Sequence, residues 1–315
     1  MVLSVVIPSY NQRSQLVACL DTIGTLSTET EIIVVNGPSS DGTSGVMAER
    51  DDVDCLLECS SRNLNVARNI GLAEASEDFI ALLAPQHRVH EGWGGVITET
   101  LSGHVDAVSG PIAPGDNSSD DIGDSAADQD LAISGGNMAL TRSALTALDG
   151  FDEYLDIGGT SDLYRRLTHE GLHLVWHPGM RVQPNHPDDV TVSENAVPPA
   201  GWQEHRDPDW GVRYRSRAYL EVKNDGLRPW VIAGLVASAL RDGGAAASDV
   251  IRGHGRPTAW VGNGTSVLRN SIVGIRDGRD ARRADRTTAR NPHGLSRADA
   301  DRIAARTDRR TETPP

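Results

Sequence analysis

The chain has 315 residues, 38% of them hydrophobic, long enough for one large domain with an appendage or for two small domains. Its formal net charge is −14, a balance that repels polyanions on average and excludes nucleic acid as a general partner. Lys223 is the only lysine among the 30 basic residues. A surface rich in Asp and almost free of Lys suits a salt-loving cell, because in salt of about 1 M the Debye length of about 3 Å screens self-repulsion.

Met1 leads straight into the buried, β-branched pattern Val2 to Ile7, with no charged leader or small-residue cleavage site, so the expectation is a cytoplasmic protein. Gln12 to Ile23 reads as a helix with Leu16, Val17, Leu20 and Ile23 on one face. Ile32 to Val35 is a second apolar strand, and Asp41-Gly-Thr43 supplies capping residues for the next helix. Asp54 to Leu57 reads as a third strand, with Cys55 and Cys59 as core-side residues rather than metal ligands. Asn65 to Ala75 follows as a helix and Phe79 to Leu83 as a fourth strand. Continuous apolar strands alternating with amphipathic helices predict a mostly parallel α/β sheet covered on both faces. Ligands of such sheets bind at the carboxyl ends of the strands.

Further along, His104 to Ser109 is a short strand, and 115–130 is an acidic, Gly/Ser-rich stretch that reads either as a solvated insert or as a flap over a site. Leu131 to Thr141 returns to order, Ser161 to Glu170 is helical and Leu172 to Trp176 is a last strand. Beyond about residue 200 the character changes. Trp210 to Asn224 interleaves Arg213, Arg215, Arg217 and Lys223 with Tyr214, Tyr219 and Leu220, and the apolar run 230–240 follows, far short of the ~20 residues a membrane span needs. Two readings stay open for this pair: helices lying in a membrane interface, or helices packed across the sheet domain. Arg276 to Arg310 holds 11 Arg and six Asp with few large apolar residues, the pattern of a solvated, partly disordered tail. The expected domains are 1–200, a helical extension over 201–270 with a membrane-peripheral option, and the tail 271–315.

Several local sequences resemble the family 2 glycosyltransferases, which have the GT-A fold, a Rossmann-like sheet with helices on both faces. Val5-Val6-Ile7-Pro8-Ser9-Tyr10-Asn11 is similar to that family's first strand and turn, and Glu31 to Thr43 to its second strand and Ser-Ser-Asp-Gly-Thr turn. Asn63 to Leu72 resembles its Asn, Ala-Arg-Asn-x-Gly segment, with Arg68 where relatives keep an arginine near the nucleotide. Gly135 to Ala139, Gly150 to Glu153 and Asp162 to Leu167 resemble the acceptor-side segments. The six segments occur in family order and cover roughly residues 3 to 178. The resemblance implies nucleotide-sugar contacts from Pro8, Tyr10, Asn36, Asp41, Arg68 and Gln86, and an acceptor side at Gly136 and Asn137.

The same resemblance locates three substitutions. The family's Asp-x-Asp motif, which holds Mn or Mg against the donor diphosphate, falls on Ala84-Pro85-Gln86, so no metal and no other cofactor is expected. The family's base position holds Thr160; Asp162 lies two residues further on and reads as a first-turn helix acid stabilised by the dipole or as a relocated base. After the second strand, where relatives have an acid, stands Asn36, which both donates and accepts. Arg68, Arg88, His87 and His90 are the cations that could face a diphosphate in place of a metal. The resemblance thus implies sugar transfer from a nucleotide sugar to a lipid-linked or protein-linked glycan at the inner face of the cell membrane. The alternative is an inactive scaffold or a nucleotide- or glycan-binding subunit of such a pathway.

Overall fold

The computed structural model describes residues 2–112, 135–185, 210–251, 257–285 and 300–305. In chain order the elements are β1 (Leu3–Ser9), α1 (Arg13–Ile23), β2 (Thr30–Asn36), α2 (Thr43–Ala48), β3 (Cys55–Cys59), α3 (Leu64–Glu74), β4 (Phe79–Leu83), β5 (His87–Val89) and α4 (Trp93–Leu101). They continue as β6 (Ala107–Ser109), β7 (Asn137–Thr141), α5 (Arg142–Leu148), α6 (Gly159–His169), β8 (Leu174–Trp176) and β9 (Val182–Pro184). The carboxyl-terminal part adds α7 (Trp210–Asp225), α8 (Pro229–Ile251), α9 (Pro257–Asp285) and β10 (Ala300–Ala305).

Eight strands form one sheet in the order β10-β3-β2-β1-β4-β7-β6-β8. The four apolar strands β1 to β4 run parallel, with β1 central between β2 and β4, and β7 is antiparallel to β4. This is the expected α/β architecture. Alternate residues of each strand feed opposite cores, as a sheet covered on both sides requires. Val5, Ile7, Val34 and Leu56 pack with α1 and α4 through Leu16, Leu20 and Trp93. Val6, Val35 and Leu57 pack with α3 through Val66, Ala67 and Ile70. Helix α3 rides so close to β1 that a Cβ on Gly71 would lie 2.3 Å from Val6 Cγ1. Cys55 and Cys59 are buried in β3, and all three cysteines are free thiols.

The carboxyl-terminal elements depart from expectation. Residues 271–285 continue α9 as a helix, and Ala300 to Ala305 add an antiparallel strand to the β3 edge, so at least these parts of the expected tail are ordered. Arg302 binds Glu74 across this edge. The stretch 115–130 and the junction near residue 200 lie outside the described residues. Helix α7, whose basic and aromatic residues suggested an interfacial helix, turns Tyr214, Tyr219 and Lys223 inward, all nearly fully buried. Its packing partner α9 approaches backbone to backbone, since a Cβ on Gly274 would meet Arg215 O at 2.3 Å and one on Gly278 would meet Tyr219 O at 2.6 Å.

Lys223 joins the helices to the sheet domain. Its Nζ donates to Asp152 Oδ2 at 2.6 Å and lies 3.2 Å from both oxygens of Asp162. Removing one partner of a buried ion pair leaves the others uncompensated, typically at a cost of about 3–5 kcal/mol. Lys223→Met is therefore expected to lower stability by roughly that amount in urea unfolding, and Lys223→Met with Asp162→Asn by less than the sum of the single changes.

Candidate nucleotide-sugar site

The carboxyl ends of β1, β2 and β4 converge with the start of β7 and the amino ends of α3 and α6. Short loops tie this edge together. Asn11 N donates to Ser39 Oγ at 2.8 Å, and Asn11 Oδ1 accepts from Ser40 N at 2.8 Å, which stitches the β1 loop to the β2 loop. Tyr10 is nearly buried, with the Arg62 guanidinium 5.9 Å from its ring centroid, a cation–π pairing at the end of β1.

Several residues expected to touch ligand are occupied by the framework. Asn36 is buried; its Nδ2 donates to Ser44 Oγ at 2.8 Å and its Oδ1 accepts from Ser39 Oγ at 2.7 Å. Asp41 accepts from Arg13 N at 2.9 Å, Thr43 N at 3.1 Å and Thr43 Oγ1 at 2.6 Å, capping the starts of α1 and α2 together. Partial burial pushes its carboxyl up, but these donors outweigh burial and hold it below the ordinary range. Asn137 is fully buried, donating to Gly110 O and Met180 O and accepting from Trp93 Nε1 at 3.0 Å. Its expected acceptor-side role gives way to a brace between β7, α4 and the turn before β9.

Asp162 is the clearest correction. Its carboxylate is 0% exposed and binds Arg166 Nε at 2.8 Å, Lys223 Nζ and Asn224 Nδ2. Burial opposes its charge, yet Arg166 and Lys223 beside it keep the carboxyl below its usual range. A carboxylate so enclosed cannot reach an acceptor hydroxyl, so the base reading fails on access and the helix-dipole reading understates the partners.

The groups that do face one another are few. Arg68, buried in α3, donates to Asn65 Oδ1 at 3.2 Å and to Gly135 O at 3.1 Å, with its guanidinium 4.9 Å from the Phe151 ring centroid. Thr160 meets the same point: a Cβ on Gly135 would lie 2.3 Å from Thr160 Oγ1 and 2.6 Å from Arg68 Nη2. A side chain at 135 would displace Thr160 or Arg68 from this point. Next to it, Gly136 O accepts from Ala84 N at 2.9 Å and lies 3.1 Å from His87 Nδ1. Burial pushes the His87 imidazole down, against the pull of the Gly136 carbonyl, so His87 is neutral near pH 7 and drops out as a cation substitute.

Among the described residues, Ala84 and Gln86 offer a divalent cation at most one neutral oxygen. Ala84 has no ligand atom, and the Gln86 side-chain oxygen accepts from Gln12 Nε2 at 3.4 Å. Among the described residues, no three His, Cys, Asp or Glu side chains come together as a metal site. One carboxylate that sequence reasoning missed does lie at the edge: Glu58, at the end of β3 and opposite Asn36 in register, binds Ser44 Oγ. Its position as the strand's penultimate residue was the available signal.

Residues 4–138 match the sequence profile of Glycosyl transferase family 2. The chain is 27% identical over 192 residues to Glycosyltransferase AglE of Haloferax volcanii, covering 55% of this chain and 63% of AglE. It is 28% identical over 117 residues to Glycosyltransferase GlyA of Streptococcus pneumoniae, covering 36% of this chain and 16% of GlyA. The chain thus spans less than two thirds of the length of either relative. Among solved structures it resembles S. aureus TarS 1-349 in complex with UDP-GlcNAc, with a TM-score of 0.58 at 12% identity over 90% of this chain and 92% of that one. It also resembles a mannosyltransferase from Pyrobaculum calidifontis in complex with GDP-Man and Mn2+, with a TM-score of 0.52 at 17% identity over 87% of both chains. At these identities the two structures establish the GT-A fold.

Because the folded state resists protonating His87 while the unfolded chain does not, its contribution to stability is present above the ordinary histidine pKa of about 6.5 and is lost as pH falls through it. Urea unfolding between pH 7.5 and 5.5 is expected to show this decline. His87→Gln should flatten it; a decline of unchanged size in that variant would assign it to another group.

Proposed function

We propose that this chain, whose residues 4–138 match the glycosyl transferase family 2 profile, binds a nucleoside diphosphate sugar and transfers the sugar in the assembly of a surface or lipid-linked glycan. The observation that carries this reading is the family match lying over the edge where Tyr10, Arg62, Arg68 and Gln86 are gathered. Tyr10 with Arg62 suits a nucleobase face. Arg68, buried and bonded to Asn65 and Gly135, stands behind the Gly135 loop and lends its positive charge to a diphosphate bound in front of it. GDP-Man and UDP-GlcNAc, the donors bound by the structural neighbours, are the first to try. The Asp-poor ligand set at 84–86 supports donor binding that does not depend on a divalent cation.

In the transfer, the bond from the sugar's anomeric carbon to the diphosphate breaks, the acceptor oxygen bonds to that carbon, and the acceptor proton must go to a base. The hydroxyl of Thr160 is too weak a base for this, and Asp162 is enclosed. That observation favours a second reading, a donor-binding subunit without turnover that serves a partner transferase. The acidic, lysine-poor composition supports work in concentrated salt, on the cytoplasmic side of the membrane.

Calorimetric titration with each donor, with and without manganese, tests the binding claim. Saturable binding that ignores manganese is the expected result, and Arg62→Ala should weaken it about two- to five-fold, the scale of one exposed cation–π contact. Donor consumption with an acceptor extract then separates transferase from subunit. Ala84→Asp with Gln86→Asp should make binding manganese-dependent; absence of binding to every donor would overturn both readings.

A further inference from the structure

Helix α8 has one face for the protein and another that the described residues leave open. Val231, Leu235 and Ser238, spaced for one side of a helix, are buried against Ala218, Val222 and Ile275. The remaining residues over 230–240 include Trp230 at 62% exposure, Ile232, Val236 and Leu240 at 72%, and the run contains no charged side chain. A helix apolar on all sides belongs in an apolar surrounding, and contiguous exposed apolar surface of this kind marks a docking surface. Helix α9 extends it with Leu268 at 66%, Ile272 at 59% and Val273.

The charges beside this face have one dominant sign. Arg269 and Arg276 share the exposed stripe of α9 with Ile272 and Val273, Arg279 and Arg283 prolong it, and Asp280 is the one exposed acid among them. Arg241 follows Leu240, with Asp242 next in sequence, and the Arg228 guanidinium sits 5.1 Å from the Trp230 ring centroid. A cationic rim around an apolar face is unexpected on a chain of net charge −14. It is the arrangement of helices that lie flat in an anionic lipid interface. A second copy would bring arginines against arginines, which disfavours self-association through this face.

We propose that the outer face of α8 and α9 docks onto an anionic lipid bilayer, lying in the headgroup region without crossing it. No described helix is long and apolar enough to cross a membrane, so the contact is one-sided. Trp230, Ile232, Val236, Leu240, Leu268 and Ile272 enter the acyl boundary, and the arginines meet lipid phosphates. At about 0.1 M salt the Debye length of about 10 Å lets the rim act on the headgroups; in salt of about 1 M, where it is about 3 Å, only arginines that touch a phosphate do, and the apolar side chains hold the contact. This inference does not depend on sugar transfer, since donor binding at the β1–β4 edge is read separately.

Density-gradient flotation of the full chain tests it, using phosphatidylglycerol–phosphatidylcholine vesicles and pure phosphatidylcholine vesicles at about 0.1 M salt. The chain is expected to float with the anionic vesicles at least about ten-fold more than with the neutral ones. Leu240→Glu with Leu268→Glu should abolish flotation while thermal unfolding and donor titration stay unchanged. Arg241→Glu with Arg269→Glu should remove the preference for anionic lipid. Three results would overturn the proposal: no flotation; a loss of thermal stability in the Leu→Glu variant, which means the chain itself covers the face; or a dimer in lipid-free solution that this variant dissociates.

Discussion

Four charges buried together, Asp152, Asp162, Arg166 and Lys223, hold the molecule's two halves in one arrangement. The two carboxylates and two cations balance, and no side chain of the four is more than 2% exposed. Desolvating such a group is expensive unless every remaining donor and acceptor is met. Here Tyr219 OH donates to Asp152 at 2.8 Å, Asn224 donates to Asp162, and Arg166 donates to Leu148 O and Gly150 O. The only lysine of the chain is spent in this interior position. An apolar substitute could pack as well, but it would not define which turn of α7 faces α6, and the charge set does.

The same cluster reaches the candidate site through one loop. Asp152 fixes the segment 151–155, whose backbone is read by three asparagines of the α3 region: Asn63 through Glu153 O, Asn65 through Asp152 O and Leu155 O, and Asn69 through Phe151 O. Arg68 stands between Asn65 and Asn69 on α3, its guanidinium over the Phe151 ring. Tyr154 stacks on Tyr219 with centroids 4.0 Å apart and donates to Asp277 of α9. Side chains from α7 and α9 therefore fix the loop that fixes α3, and α3 presents the arginine. The extension is part of the site's support, and the carboxylates of Asp152 and Asp162 are consumed in providing it.

The parallel sheet was legible because its strands carry their own signal: uninterrupted Val, Ile and Leu, bounded by turn residues, with β4 matching the expected Phe79 to Leu83. Of the short strands, β6 and β8 fall inside segments read as strands, whereas β5, β9 and β10 were not legible. Ala300-Asp-Arg-Ile-Ala-Ala305 carries one large apolar residue, and its pairing with β3 follows from an open sheet edge, not from its own sequence. At the site, what Ala84 and Thr160 offer could be read directly, since nothing distant changes the chemistry of an alanine or a threonine. The polar residues could not be read so directly. Asp162, Asn36 and Asn137 look like ligand contacts by type, and only their partners in the fold, from Ser44 for Asn36 to Met180 for Asn137 and Lys223 for Asp162, reveal that their hydrogen bonds are already committed.

The helical extension also explains why its outer face is apolar. Helices α7 and α9 approach through glycines at 211, 274 and 278, so their contact excludes large side chains and leaves little room for α8 between them. Helix α8 is left to pack from one side, through Val231 and Leu235. Folding gains from burying that inner stripe, but it gains nothing from Trp230, Val236 or Leu240 on the opposite side. Exposed apolar residues at consecutive helical positions carry an aggregation liability, which makes them hard to attribute to the fold. The arginines beside them are equally unnecessary to it, since Arg269, Arg276 and Arg279 lie exposed. A surface that folding does not require, apolar at its centre and cationic at its rim, is accounted for by what it meets outside the chain.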